Sequence, residues 1–203
     1  MRTAFFGGTF DPIHNGHLAL AREVLNRGLA DRILLVPAAS PPHKNIRQIS
    51  PFEHRLAMVR LAIRNEPGFE WSDVEMHRMG KSYTIDTLAE LSASGRYGEI
   101  LLLIGSDSLR QLHLWFRCHD LVRDYRMIAY PRRNETITES ELRLHWSPEE
   151  TGKLLSSLLV PAPEFAFSST QIREIVKKEG IKKISELVSS AVAGYIATHR
   201  LYS

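Results

Sequence analysis

The chain has 203 residues, 43% of them hydrophobic, which is enough to bury one sizeable core and short for two. Its charged fraction of 24% is ordinary and excludes disordered and fibrous compositions, and the formal charge of +3 from 26 basic and 23 acidic residues is too small a surplus to argue for a nucleic-acid footprint, so no nucleic-acid partner is expected. A single cysteine, Cys118, excludes an internal disulfide and a cysteine-based zinc site; it reads as a small buried apolar residue in a protein of the reducing cytoplasm.

One domain over residues 1–203 is therefore expected. Residues 1–6 form a short apolar run stopped by Gly7-Gly8, which predicts a strand and not a signal peptide. No window approaches the roughly 18 uninterrupted apolar residues of a membrane span, so no membrane association is expected. Residues 2–6, 32–36, 99–104 and 126–130 are apolar runs closed by Gly, Pro or a small polar residue, the pattern of buried parallel strands. Between the first two, Leu18, Ala21 and Leu25 recur at helical spacing and Gly28 supplies a stop, giving a β-α-β unit. Ser50 is expected to cap the next helix, with Pro51 in its first position, Glu53 completing a capping box and Leu56, Val59 and Ile63 as its apolar stripe. A strand over 69–74 and a helix over 84–94 closed by Gly95 follow. Residues 132–150 are polar without a period and predict an irregular connection. From Ser168 the chain is helical again, through Ile172, Ile175 and Val176, with Leu187, Ala191, Tyr195 and Ile196 as a last stripe. The alternation predicts the α/β class: a single Rossmann-like domain with a mostly parallel sheet and helices on both faces.

The segment Gly7-Gly8-Thr9-Phe10-Asp11-Pro12-Ile13-His14-Asn15-Gly16-His17 lies between the first strand and the first helix. In an open α/β sheet that is a ligand-binding edge. Paired glycines let backbone N–H groups approach phosphate oxygens, and the helix N-terminus adds a positive dipole. His14 and His17, three residues apart at the helix start, project to one side and suit a polyphosphate; two histidines without a third ligand suit metal less well, so no protein metal site is expected. Neither a Walker loop nor the Gly-x-Gly-x-x-Gly fingerprint is present. Further on, Ser168, Ser169 and Thr170 are cap-type residues before a helical stripe, with Arg173 one turn in: a second phosphate clamp, or a plain N-cap with a solvated arginine.

His14-Asn15-Gly16-His17 after Gly-Thr-Phe-Asp-Pro resembles the signature of the HxGH nucleotidyltransferases, and the run from Phe167 to Arg173 resembles their second, Ser-Ser-Thr-x-x-Arg signature. Over nearly the whole chain the sequence is similar to the bacterial nicotinate mononucleotide adenylyltransferases. That resemblance implies an enzyme moving an adenylyl group from ATP to nicotinate mononucleotide in NAD biosynthesis, with Mg²⁺ bound mainly through the ATP phosphates. It implies His14, His17 and Arg173 as catalytic residues and Gly7, Gly8, Thr9, Phe10, Gly105, Asp107, Ser168, Ser169 and Thr170 as further ATP contacts. Lys44 in Pro41-Pro42-His43-Lys44, Thr84 in Ser82-Tyr83-Thr84 and Trp115 are implied on the acceptor side. On the residues alone, Lys44 can also be read as a solvated lysine, Thr84 and Asp107 as helix-cap residues, and Trp115 as a core tryptophan. Tyr195 to Tyr202 also has the family's look, and a homo-oligomer is compatible with it. The chain departs from the family after residues 126–130, where Tyr130-Pro131-Arg132-Arg133-Asn134 replaces an Arg-Pro-Gly-like turn. Rival readings are another phosphate acceptor, such as nicotinamide mononucleotide or phosphopantetheine, a class I synthetase fragment, which would need a Lys-Met-Ser-Lys-Ser-type loop the chain lacks, and a nucleotide-sensing module without turnover.

Overall fold

A computed structural model describes residues 1–41, 49–131, 137–159 and 168–203. Among these, β1 (Arg2–Gly8), β2 (Arg32–Pro37), β3 (Phe69–Trp71), β4 (Glu99–Gly105) and β5 (Arg126–Tyr130) form one sheet, parallel throughout, in the order β3-β2-β1-β4-β5. The helices are α1 (Asn15–Asn26), α2 (Phe52–Ala62), α3 (Thr84–Ala93), α4 (Ser106–Arg110), α5 (Cys118–Asp124), α6 (Glu139–Leu142), α7 (Pro148–Ser156), α8 (Ser169–Glu179) and α9 (Ser190–Thr198).

Strand residues alternate between two cores. Ala4, Phe6, Ile33, Leu35, Leu101, Leu103 and Ile128 point to the face covered by α1, α2, α8 and α9. Phe5, Leu34, Val36, Ile100, Leu102, Ile104 and Ala129 point to the face covered by α3, α4, α5, α6 and α7. Both faces being buried, the strands read as continuous apolar runs, and the expected fold class is the one observed. Among the described residues no helix is long and apolar enough to cross a membrane.

The strand order places the site. From β1 the chain crosses through α1 to β2 on one side, whereas β4 lies on the other side of β1, so the carboxyl ends of β1 and β4 diverge in the crevice of a topological switch point. Gly7 and Gly8 end β1, and Gly105 ends β4. A Cβ on Gly7 would come 2.8 Å from the Phe5 ring, and one on Gly8 3.0 Å from the Phe10 ring, so the absence of side chains here is a packing requirement as well as a means of access.

Several local expectations are corrected. Helix α2 begins at Phe52 with Pro51 as its cap position and without a side-chain cap bond. Ser50 is drawn instead into the site loop: its N–H donates to Asp11 and its carbonyl accepts from Arg55. The inward line of α2 is Arg55, Met58, Val59 and Ala62, not one through Leu56. In the last helix Val192 and Ile196 face the core, joined by Val188 just before it, while Ala191 is exposed. The strand expected over 69–74 is only Phe69–Trp71, followed by a 3-10 turn, Val74–His77. The stretch expected to be irregular contains α6 and the start of α7, each opened by a capping box: Thr138 with Glu141, and Ser147 with Glu150 behind Pro148. After α7, Leu158 forms a parallel bridge with Ala129 on the outer side of β5, through hydrogen bonds of 2.8 Å (Ala129 N–H to Ser157) and 2.7 Å (Leu159 N–H to Ala129).

At the start of α7 the Ser147 hydroxyl accepts from the Glu150 N–H at 3.3 Å while the Glu150 carboxylate accepts from the Ser147 N–H at 2.9 Å. Ser147→Ala is expected to lower the unfolding free energy by about 0.5–2 kcal/mol. Urea denaturation of both proteins measures it, and an unchanged midpoint would show that α7 starts without its cap.

Candidate active site

A cleft of about 1130 Å³ opens at the switch point. Its floor is the end of β1 with Gly7, Gly8 and Thr9. Its walls are the start of α1 with His14 and His17, the end of β4 with Gly105 and Asp107, and the start of α8 with Ser168, Ser169, Thr170 and Arg173. Thr84 and Trp115 line it at the side of α3 and α5. The structure thus brings the two sequence signatures, more than 150 residues apart in the chain, to one cavity. Lys44 lies outside the described residues, as do Arg132, Arg133 and Phe167.

His14 is the cap residue of α1 and His17 its third helical residue. Their rings stack with centroids 3.7 Å apart, and the His14 backbone N–H donates to His17 Nδ1 at 3.2 Å. That bond assigns the ring proton of neutral His17 to Nε2, leaving a donor nitrogen on a residue that lines the cleft. The Phe10 ring is 2% exposed and stands edge-on to His17 and Phe6, so Phe10 meets the cleft from beneath the loop as a support. Its backbone is left-handed (φ 49°).

The turn over residues 9–12 is held by distant side chains. Arg55 is 2% exposed and donates to the Thr9 carbonyl and to the Ser50 carbonyl, both at 2.9 Å. Burial pushes the Arg55 pKa down, opposed chiefly by the charge of Asp11. Arg173 donates to the Asp11 carbonyl at 2.8 Å and to the Thr170 hydroxyl at 3.3 Å. The Ser169 hydroxyl donates to the Pro12 carbonyl at 2.9 Å. The buried Asp11 carboxylate accepts from the Ser50 N–H at 3.0 Å and from the Tyr202 hydroxyl at 2.6 Å. Asn15 fixes the start of α1 to the segment before α9, its backbone and side-chain N–H groups donating to Leu187 and Glu186. With their carbonyls turned to these partners, residues of the loop can present N–H groups to an anion.

Ser168 is the cap of α8 and exchanges bonds with Gln171, so its hydroxyl is an N-cap in this state, as the plain reading of that motif allowed. Gly105 is the cap position of α4 and Asp107 lies inside the first turn, so Asp107 is not a side-chain cap. Helix α3 starts at Thr84 from Tyr83 without a side-chain cap bond, which leaves first-turn N–H groups facing the cleft wall. Trp115 is half-buried, packed on the core beneath α3 and α5 while also lining the cleft, so the core and ligand readings hold together. Beside it the Tyr83 and Phe116 rings lie 4.5 Å apart. Asp11, Arg55, Glu75 and Tyr202 are the residues that sequence reasoning left without a role. A faint signal existed for Arg55, which shares the i, i+3, i+4, i+7 line of Met58, Val59 and Ala62.

A parallel sheet with a phosphate-suited loop and a second basic helix start at its switch point defines a nucleotide-binding α/β domain of the nucleotidyltransferase kind. Residues 5–175 match the cytidylyltransferase-like family. Similar proteins include one from Dehalococcoides mccartyi, 38% identical over 203 residues, which are 100% of this chain and 97% of that one, and one from Symbiobacterium thermophilum, 38% identical over 99% of this chain and 95% of that one. Both carry the name probable nicotinate-nucleotide adenylyltransferase. The fold is shared with the Plasmodium falciparum nicotinic acid mononucleotide adenylyltransferase complexed with NaAD, at a TM-score of 0.78 and 21% identity over 99% of this chain and 97% of that one. The chain belongs to the cytidylyltransferase-like family and, within it, to the group of the nicotinate-nucleotide adenylyltransferases.

The half-buried tie from Tyr202 to Asp11 carries a prediction. Desolvation first and the Asp11 charge second push the Tyr202 pKa well up. A tyrosine so raised contributes stability below its unfolded value of about 10, lost as pH climbs beyond that. Tyr202→Phe is expected to cost about 1–3 kcal/mol at neutral pH by stranding an acceptor, with the gap to the parent protein narrowing above pH of about 10. Denaturant unfolding of both proteins across pH 7–11 measures it; a gap that widens with pH would refute the assignment.

Proposed function

We propose that the protein transfers the adenylyl group of ATP to nicotinate mononucleotide, giving nicotinate adenine dinucleotide and pyrophosphate in NAD biosynthesis. The observation that carries this is the convergence of the His14–His17 stack, the glycine floor and Arg173 on one cleft whose far wall is an aromatic corner beside an uncapped helix start.

In this reading an oxygen of the acceptor 5′-phosphate attacks the α-phosphorus of ATP in line, the bond from that phosphorus to the bridging oxygen breaks, and pyrophosphate leaves. The attacking phosphate is already an anion, so the side chains need supply only position and charge stabilisation. His17, with its proton on Nε2, and His14 beside it act as donors to the ATP phosphates. Arg173 is tied down through two of its guanidinium nitrogens, and the remaining N–H groups of the fork serve the leaving group. Backbone N–H groups of Gly7, Gly8 and Thr9 and of the α8 start, with Ser168, Ser169 and Thr170, line the path of the phosphates. Asp107 at the end of β4 accepts from ribose hydroxyls. On the acceptor side, Trp115 offers a ring face for the pyridine and the α3 start near Thr84 offers N–H groups for its carboxylate; Lys44 completes this side as a phosphate ligand. The donor set is one of imidazole, guanidinium and amide N–H groups, which suits anions. Mg²⁺ held by phosphate oxygens and water would supply charge neutralisation of the pyrophosphate. The cytoplasm, with one buried cysteine and ATP at hand, is the setting this reading implies.

The direct test is pyrophosphate release from ATP and Mg²⁺ with a panel of phosphate acceptors. Nicotinate mononucleotide is expected to be used best, and the nicotinamide form worse by a factor corresponding to about 2–5 kcal/mol for a mispaired buried charge. Equal kcat/KM for the two would remove the preference for the acid, and release with neither would remove the function. His17→Ala is expected to lower kcat by roughly 10²–10³-fold, as for loss of one preorganised donor, with ATP affinity and melting temperature little changed. Normal turnover of that variant would sink the assigned role.

A further inference from the structure

The carboxylate of Glu75 takes no part in the scheme above, yet it is buried, lines the cleft and sits at the hinge of its acceptor side. It belongs to the 3-10 turn Val74–His77 that follows β3. One oxygen accepts from the Ala39 N–H, just beyond β2, at 3.2 Å, and the other accepts from the Thr87 hydroxyl, inside α3, at 2.9 Å. Thr87 is 0% exposed, lies 3.2 Å from the Tyr83 carbonyl and accepts from Arg78 at 3.0 Å. Arg78 in turn pairs with Glu90, further along α3. Ser40 and Ser82 tie the same two segments, with bonds of 3.0 Å from the Ser40 N–H to the Ser82 hydroxyl and from the Ser82 N–H to the Ser40 carbonyl.

Strand pairing cannot set the spacing of these segments. The β2–β3 register ends at Leu35 and Trp71, and beyond it residues 38–41 and the α3 start are separate pieces of chain. Ala38, Pro41, Tyr83 and Thr84 all line the cleft from them. Among the described residues the gap is bridged by the ties through Glu75 and by the Ser40–Ser82 pair, and Glu75 and Ser82 both lie on the cleft wall.

We infer that Glu75 is a positioning residue for the acceptor, bridging the loop after β2 to the first turns of α3 and so setting the width of the pocket that receives the mononucleotide. The inference rests on the function proposed above and concerns the acceptor side: the ATP end is held by Arg55, Arg173, Ser169 and Tyr202, whose hydrogen bonds run to Thr9, Asp11 and Pro12 and not to this bridge, although the charge of Glu75 is felt at Arg55. Hydrogen bonding, and not negative charge, is the working property. A glutamine at this position can accept from the Ala39 N–H through its amide oxygen and donate through its nitrogen to Thr87 Oγ1, whose proton then turns to the Tyr83 carbonyl.

The test is steady-state pyrophosphate release with each substrate varied in turn, beside calorimetric binding of nicotinate mononucleotide. Glu75→Ala is expected to raise KM and Kd for the mononucleotide by about tenfold or more with KM for ATP within about twofold, since a displacement on the order of 1 Å in a positioning element has effects of this size. Glu75→Gln should recover most of the loss. If Glu75→Ala does not fold, Thr87→Val, which removes the hydroxyl at nearly constant shape, is expected to show the same selective rise. Equal rises in both KM values, or a glutamine variant as impaired as the alanine one, would overturn the inference while leaving the adenylyl-transfer reading in place. A parent protein that neither binds nor adenylates the mononucleotide would overturn both.

Discussion

A loop that must turn its N–H groups toward an anion has to satisfy its carbonyls elsewhere. Thr9, Asp11 and Pro12 meet that requirement through side chains from α2 and α8, while Tyr202 of the last turn holds the Asp11 carboxylate. The demand explains a feature that would otherwise be costly: Arg55, a guanidinium placed among core residues, with its charge out of water. Its fork holds two carbonyls from segments that do not pair as strands, a task for which a planar multiple donor is better suited than an ammonium.

The same demand couples the two sequence signatures mechanically before any ligand is considered. Arg173 and Ser169 of the second signature bond to carbonyls of the first, so the proposed phosphate ligands are held by the loop they help to hold. Such reciprocal anchoring is what preorganisation needs: donors fixed ahead of the charge they are to stabilise. It also makes Asp11 a junction, since its carbonyl serves Arg173 and its carboxylate serves Ser50 and Tyr202.

How much of this could be read from the chain depends on the range of the interaction. Strands β1, β2, β4 and β5 were legible because both sheet faces are buried and their runs are largely apolar, α1 because apolar stripe and glycine stop agree, α3 because of its glycine stop, and α8 because cap and stripe agree. Local rules failed where tertiary partners outbid them. Ser50 has the chemistry of a cap but is taken by Asp11 and Arg55. In 138–156 the capping boxes of α6 and α7 were present in the sequence, and the polar composition around them masked two short helices that each bury little more than one leucine. That the histidines, glycines and Arg173 would lie at one cleft was legible because short-range chemistry and the resemblance coincide. Glu75 and Tyr202 were not, because each acts on a partner that no local pattern announces.

The ends of the sheet bear on the behaviour of the protein in crowded solution. An open parallel sheet offers two edges to which a second chain could add. Here β3 is only three residues long and carries Glu70, paired with both Arg32 and Arg96, while the outer side of β5 is engaged by the strand-like bridge at Leu158. One edge is short and charged, the other is engaged at Ala129. Both features work against edge-to-edge growth of the apolar strands between them, runs that would be prone to aggregate if exposed.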